Sequence, residues 1–114
     1  MSGITTHVLD LDRGRPAEGV EVKLEIQMPA RGWVALAARA TDADGRVPDL
    51  TAAGSVLDAG VYRLTFATGE YFKRRGAGTF YPEVTVVFEV REPGQHHHVP
   101  LLLNRFGYST YRGS

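Results

Sequence analysis

The side chains able to do chemistry near neutral pH lie far apart in this 114-residue chain. His7 stands alone in an early β-rich stretch, and the run His96-His97-His98 comes near the end. Strand neighbours alternate faces, so His96 and His98 share one side and His97 takes the other. Three readings of the pair stand side by side: a His-x-His zinc site, acid–base catalysis where imidazole titrates, and a polar sheet surface. A zinc ion needs a third ligand, and neither a carboxylate nor another histidine sits at a matching spacing. Arg46 follows the turn at Asp44-Gly45. It is either a loop anchor or a rigid donor fork for a planar anion or carbonyl. The sequence closes on Tyr111-Arg112-Gly113-Ser114, which offers a phenol, a planar cation, a residue that permits a tight bend, and a serine hydroxyl with the terminal carboxylate. Termini ordinarily fray, but this combination behind a hydrophobic strand reads as a segment folded into a site.

The elements that must position these groups are mostly strands. Ile4 to Leu11 is β-rich, with His7 on the same face as Leu9 and Leu11. Val20, Val22, Leu24 and Ile26 alternate with Glu21, Lys23, Glu25 and Gln27, the cleanest half-buried strand of the chain. Trp33 to Thr41 follows as its hairpin partner, and Asp42-Ala43-Asp44-Gly45 is a turn signal. Further strands are expected over Gly60 to Thr68, Glu83 to Val90, His97 to Leu103 and Phe106 to Tyr111. One short helix is expected near residues 69–76, with Thr68 as its cap, Glu70 in its first turn, Lys73-Arg74-Arg75 in its last, and Gly76 ending it. Seven or eight short strands and one helix suggest an antiparallel sandwich.

Composition narrows the function. The length fits one domain over residues 1–114, large enough to hold a core without staples. There is no cysteine, which excludes a thiol nucleophile, a zinc–thiolate site and a disulfide scaffold. Thirteen basic and thirteen acidic residues cancel, so no electrostatic case exists for nucleic acid or an anionic membrane as partner. No export signal or spanning segment stands out, and a soluble cytoplasmic protein is the expectation. The nucleophile elbow, the phosphate-cradling glycine loop and the H-E-x-x-H motif are all missing. Any hydrolysis would therefore use activated water.

Together these stretches resemble the transthyretin-like 5-hydroxyisourate hydrolases. The resemblance runs through Thr5-Thr6-His7-Val8-Leu9-Asp10, Gly14-Arg15-Pro16-Ala17, Thr41 to Arg46 and Phe80-Tyr81-Pro82-Glu83-Val84. It continues through His96 to Leu103 and Gly107 to Ser114. The closing tetrapeptide is its most specific mark, because the hormone carrier of the same fold lacks it. The resemblance implies a prealbumin-like, all-β antiparallel sandwich of two four-stranded sheets, assembled as a homotetramer (a dimer of dimers) with sites at the dimer–dimer interface. It implies ring opening of 5-hydroxyisourate to 2-oxo-4-hydroxy-4-carboxy-5-ureidoimidazoline in urate breakdown, with no cofactor and no metal. Carried over by position, His7, Arg46, His98 and Ser114 are the expected catalytic residues, and His7, Arg46 and Tyr111 the substrate-binding ones. This chain departs from the family pattern at His97, where tyrosine is usual, and at Asn104-Arg105, where Ser-Pro is common. Two other readings stay open: a carrier of a small planar ligand in the same channel, and a binding module that uses a sheet edge.

Overall fold

Alternation along each strand decides which side chains make the core. A computed structural model of the chain describes residues 3–51 and 57–114. Its elements are β1 (Gly3–Asp10), β2 (Arg15–Pro16), β3 (Glu21–Met28), β4 (Gly32–Ala40), β5 (Arg46–Val47), β6 (Gly60–Phe66), α1 (Thr68–Arg74), β7 (Val84–Val90), β8 (His96–Leu103) and β9 (Tyr108–Thr110). From β1, Ile4, Thr6, Val8 and Asp10 are buried, while Thr5, His7 and Leu9 lie half-buried on the opposite face. Val22, Leu24 and Ile26 of β3, Tyr62, Leu64 and Phe66 of β6, and Val99, Leu101 and Leu103 of β8 complete the inner faces. Each such side chain contributes roughly 1.5–3 kcal/mol by leaving water.

The strands form two sheets. One has the order β2-β1-β8-β9 with β5 also on β1, and the other has the order β4-β3-β6-β7. The all-β sandwich with one short helix is the expected one, but two details differ from expectation. The first sheet has five strands rather than four, because β2 and β5 occupy successive stretches of one edge of β1. Also, β1 and β8 run parallel over eight residue pairs, from Gly3↔His96 to Asp10↔Leu103. About ninety residues separate these partners, so no tight hairpin forces them antiparallel.

The helix also starts differently. Thr68 is its first residue and is buried, while Ala67 stands at the cap position without a side-chain hydrogen bond. The Gly69 amide donates to the Pro82 carbonyl at 2.9 Å, and a Cβ at Gly69 would collide with that carbonyl. This contact takes up an amide that a capping side chain would otherwise satisfy. Gly76 ends the helix at φ +71°, as expected. Thr68, Tyr71 and Phe72 form the buried stripe, one helical turn apart.

Helix and sheet meet at Asp10, whose side chain is fully buried. Its carboxylate accepts hydrogen bonds from the Tyr71 hydroxyl (2.6 Å), Arg75 Nη1 (2.9 Å) and the Arg13 amide (3.1 Å). Burial, then the Asp10 hydrogen bond and charge, pushes the Tyr71 phenol above its ordinary pKa. Removing the carboxylate would strand Arg75 and the tyrosine. Asp10→Ala is expected to lower stability by about 3–5 kcal/mol, read as a shift of the urea unfolding midpoint. A midpoint within experimental error of the parent would mean that Asp10 does not tie the helix to the sheet.

Candidate active site

The outer face of the five-stranded sheet gathers most of the residues singled out from the sequence. His7 and Thr5 project from the half-buried face of β1. Arg46 sits directly opposite His7 in the β1–β5 pair, and His98 is in register with Thr5 across the β1–β8 pair. The two-residue strand β5 is set by Asp42, whose carboxylate accepts from the Asp44 and Arg46 amides, both at 2.9 Å. The turn closes through Gly45 at φ +73°, where a Cβ would run into the Val8 carbonyl. The loop is thus held by backbone and by Asp42, and the Arg46 guanidinium makes no hydrogen bond among the described residues.

His98 is fixed from two sides. Its Nδ1 lies 2.8 Å from the Thr5 hydroxyl, which also lies 2.8 Å from His96 Nε2. On the other side the C-terminal segment comes back to it: the Gly113 amide donates to the His98 carbonyl at 2.8 Å. A Cβ built on Gly113 would lie 2.5 Å from His98 Cδ2. Gly113 is therefore needed for close approach to an imidazole; its φ is not in the left-handed region, and the tight bend expected of it is not its role. Burial is the main influence depressing the His98 pKa, reinforced by the charges of Arg46, His96 and His7 and opposed by a hydrogen bond to the Thr5 backbone. These influences favour the neutral form of the His98 ring.

The other expected residues divide. Tyr111, exposed, lines a groove of about 220 Å³ with His98, Val86, Phe88 and Arg112. Ser114 follows Gly113 and is exposed. Arg112 holds the segment by donating from Nη2 to Gln95 Oε1 at 3.0 Å. His97 points inward as alternation requires, 5 % exposed, with no partner for Nδ1. Among the described residues no principal cavity contains His7, Arg46 and His98 together. The three share an open face. A cavity of about 690 Å³ lies elsewhere, between Arg13, Arg15, Arg74 and Arg75. Nor do three or more His, Asp or Glu side chains converge as a metal site among the described residues. Thr5 was not foreseen as a site residue, because its partner His98 lies 93 positions away, and Gly113 was foreseen only as a bend in the closing segment.

A family model described as the HIUase/Transthyretin family matches residues 4–113. The chain belongs to that family. It is 46 % identical over 111 residues to the 5-hydroxyisourate hydrolase of Salmonella dublin, covering 97 % of this chain and 80 % of the relative. The structure of Klebsiella pneumoniae 5-hydroxyisourate hydrolase superposes with TM-score 0.86 at 38 % identity, over 99 % of this chain and all of the other. Transthyretin from Sparus aurata superposes with TM-score 0.92 at 32 % identity, over 99 % and 97 % of the two chains. Members named for catalysis and members of the transthyretin type thus share this backbone. The side chains must discriminate.

The buried imidazoles make stability depend on pH. Burial, then the Arg112 and His96 charges, also lowers the His97 pKa, against a hydrogen bond to the Gln95 backbone. The unfolded chain takes up these protons first, as pH falls through about 6.5. The stabilisation from neutral His97 is therefore complete above that value and is lost as pH falls toward the folded pKa. Replacing the ring by one that cannot titrate, His97→Phe, should flatten the decline of the thermal midpoint between about pH 7.5 and pH 5. An unchanged decline would place the acid sensitivity in other groups.

Proposed function

We propose that this protein hydrolyses 5-hydroxyisourate, opening the ring at a cyclic amide bond in urate breakdown. The observation that carries the reading is the seating of Gly113 on the ring of His98, on the same face as His7 and Arg46. That contact brings the Tyr-Arg-Gly-Ser segment to an imidazole with a guanidinium nearby. The names of relatives such as the Salmonella dublin hydrolase supply the substrate. The high TM-score with a transthyretin bears on backbone alone, and a carrier role has no use for the His7, Arg46 and His98 arrangement.

Chemically, ring opening needs water stripped of a proton, a cation facing the carbonyl oxygen as it gains charge, and a proton for the departing nitrogen. In our reading one of His7 and His98 takes the proton from water and the other delivers one to nitrogen. Arg46, unengaged within the described residues, binds the substrate's carbonyls and offsets the oxyanion charge. Tyr111 lines the pocket and Ser114 orients water or substrate. An open face would leave these groups in bulk water, where such electrostatics are weak. We therefore assign the covering layer to further copies of the chain: a dimer of dimers with the sites at the dimer–dimer interface. Open edges at β7 and β9, and exposed Val87, Phe106 and Tyr111, favour that assembly. A light-scattering mass four times that of the chain is its signature.

The test is the ultraviolet decay of 5-hydroxyisourate, freshly made from urate with urate oxidase, with and without the protein. Acceleration is expected, and none would favour the carrier. His7→Ala and His98→Ala should each slow turnover by roughly 10²–10⁴-fold. Arg46→Lys should be similarly costly, since an ammonium cannot reproduce the fork. Gly113→Ala should fold but lose activity as its methyl displaces the ring. Parental rates in both histidine variants would refute the acid–base roles.

A further inference from the structure

The Thr5 hydroxyl sits between two ring nitrogens, 2.8 Å from His98 Nδ1 and 2.8 Å from His96 Nε2. A hydroxyl has one hydrogen to donate and lone pairs to accept with. It therefore cannot donate to both rings. When it donates to His96 Nε2, the His98 contact is a hydrogen bond only if His98 Nδ1 carries a proton and Thr5 accepts. When it donates to His98 Nδ1, the proton must lie on His96 Nε2. The two imidazoles are thus locked into opposite polarities by one shared hydrogen.

The surroundings choose between the two. His96 is exposed and His98 half-buried, with ring centroids 6.3 Å apart. Facing His98 are Arg46 from β5, His7 from β1 and His96 from its own strand, while the C-terminal segment sets Gly113 against the ring and runs Tyr111 and Arg112 along the groove beside it. No acidic side chain enters this set. Arg46, His7 and His96 all oppose a cation on His98, whereas His96 is open to water.

We propose that Thr5 and His96 form a proton relay for His98, with Thr5 a positioning residue that holds His98 in its Nδ1–H form and leaves Nε2 bare toward the substrate face. As Nε2 takes a proton from water, an O–H bond breaks and an N–H bond forms. The Nδ1 proton passes to the Thr5 oxygen, and the Thr5 hydrogen passes to His96 Nε2. One proton has entered, and the positive charge rests on His96 at the surface. His98 ends neutral, as it began, with its proton moved from Nδ1 to Nε2; delivery of a proton to the departing nitrogen falls to His7, as in the reading above. This relay rests on the hydrolytic reading of His98 given above, and it adds that His98 is the base.

Ring-nitrogen NMR of the full chain, labelled with ¹⁵N-histidine, tests the relay without any substrate. Above about pH 7 the parent should show His98 protonated at Nδ1, although free imidazole side chains favour the other tautomer. Thr5→Val, which keeps the shape and removes the hydroxyl, should move His98 toward Nε2–H. It should also lower kcat about tenfold or more with KM little changed, the pattern of an interaction made only in the transition state. Thr5→Ser should restore both tautomer and kcat, and His96→Ala should lower kcat without altering the Thr5–His98 contact. An Nε2–H tautomer in the parent, or the same tautomer in parent and Thr5→Val, would overturn the relay even if the parent is an efficient hydrolase. A parent that leaves 5-hydroxyisourate untouched would instead defeat the hydrolytic reading, whatever its tautomer.

Discussion

The parallel register between β1 and β8 is the constraint from which the rest of the site follows. Eight pairs align the two strands, and side chains on each alternate between core and outer face. In this register Thr5 stands beside His98, and His7 lies two residues farther along the same face. A slip of one residue would turn one strand's outer set inward, burying His98 and bringing His97 out. The register is held by bulk hydrophobic burial, since Ile4, Val8, Val99, Leu101 and Leu103 are inner-face residues of the two strands. The Thr6 hydroxyl adds a 2.6 Å hydrogen bond to the Val99 carbonyl inside the core. Packing on one side of the sheet thus sets the chemistry on the other.

Two local devices extend that frame. Asp10 at the end of β1 accepts from both helix and loop, fixing the strand against sliding. Asp42 and Gly45 press a two-residue strand against β1, with Gly45 donating its amide to the Asp42 carbonyl and accepting from the Val8 amide at 2.7 Å. Without that short strand Arg46 would have no defined relation to His7. Glu25, buried in β3, is satisfied by Arg63 at 2.6 Å, and that hydrogen bond leads the influences holding its carboxyl below the usual range. Asp10 in the core and Glu25 on the second sheet are thus paired, whereas on the outer face of the first sheet Arg46 is uncommitted among the described residues.

Much of this was legible in the sequence, and the losses have identifiable causes. Long alternating segments such as Glu21–Met28 declare themselves because period two persists over several residues. His98 and His96 were correctly put on one face by alternation alone. The strands at Arg15–Pro16 and Arg46–Val47 were not legible: two residues carry no period, and neighbouring Pro and Gly mark turns. The parallel sense of β1 and β8 was hidden because partners about ninety positions apart leave no local trace. Thr68 was misplaced at the helix start because a distant carbonyl, that of Pro82, takes the Gly69 amide, so the helix begins one residue earlier without a capping side chain. The convergence of His7, Arg46 and His98 on one face was foreseen through the family resemblance, not from spacing.

The contact between Gly113 and the His98 ring is a fit by omission: what matters is that nothing projects from the backbone at position 113. Such a restriction is conditional. It binds only while an imidazole fills the adjoining space, and it lapses once a compact side chain replaces the histidine at position 98. The two positions are therefore coupled through excluded volume, and drift at one is released by drift at the other. Within this architecture a lineage that abandons the ring is freed to lengthen the side chain facing it, so loss of one group and growth of the other should be inherited together.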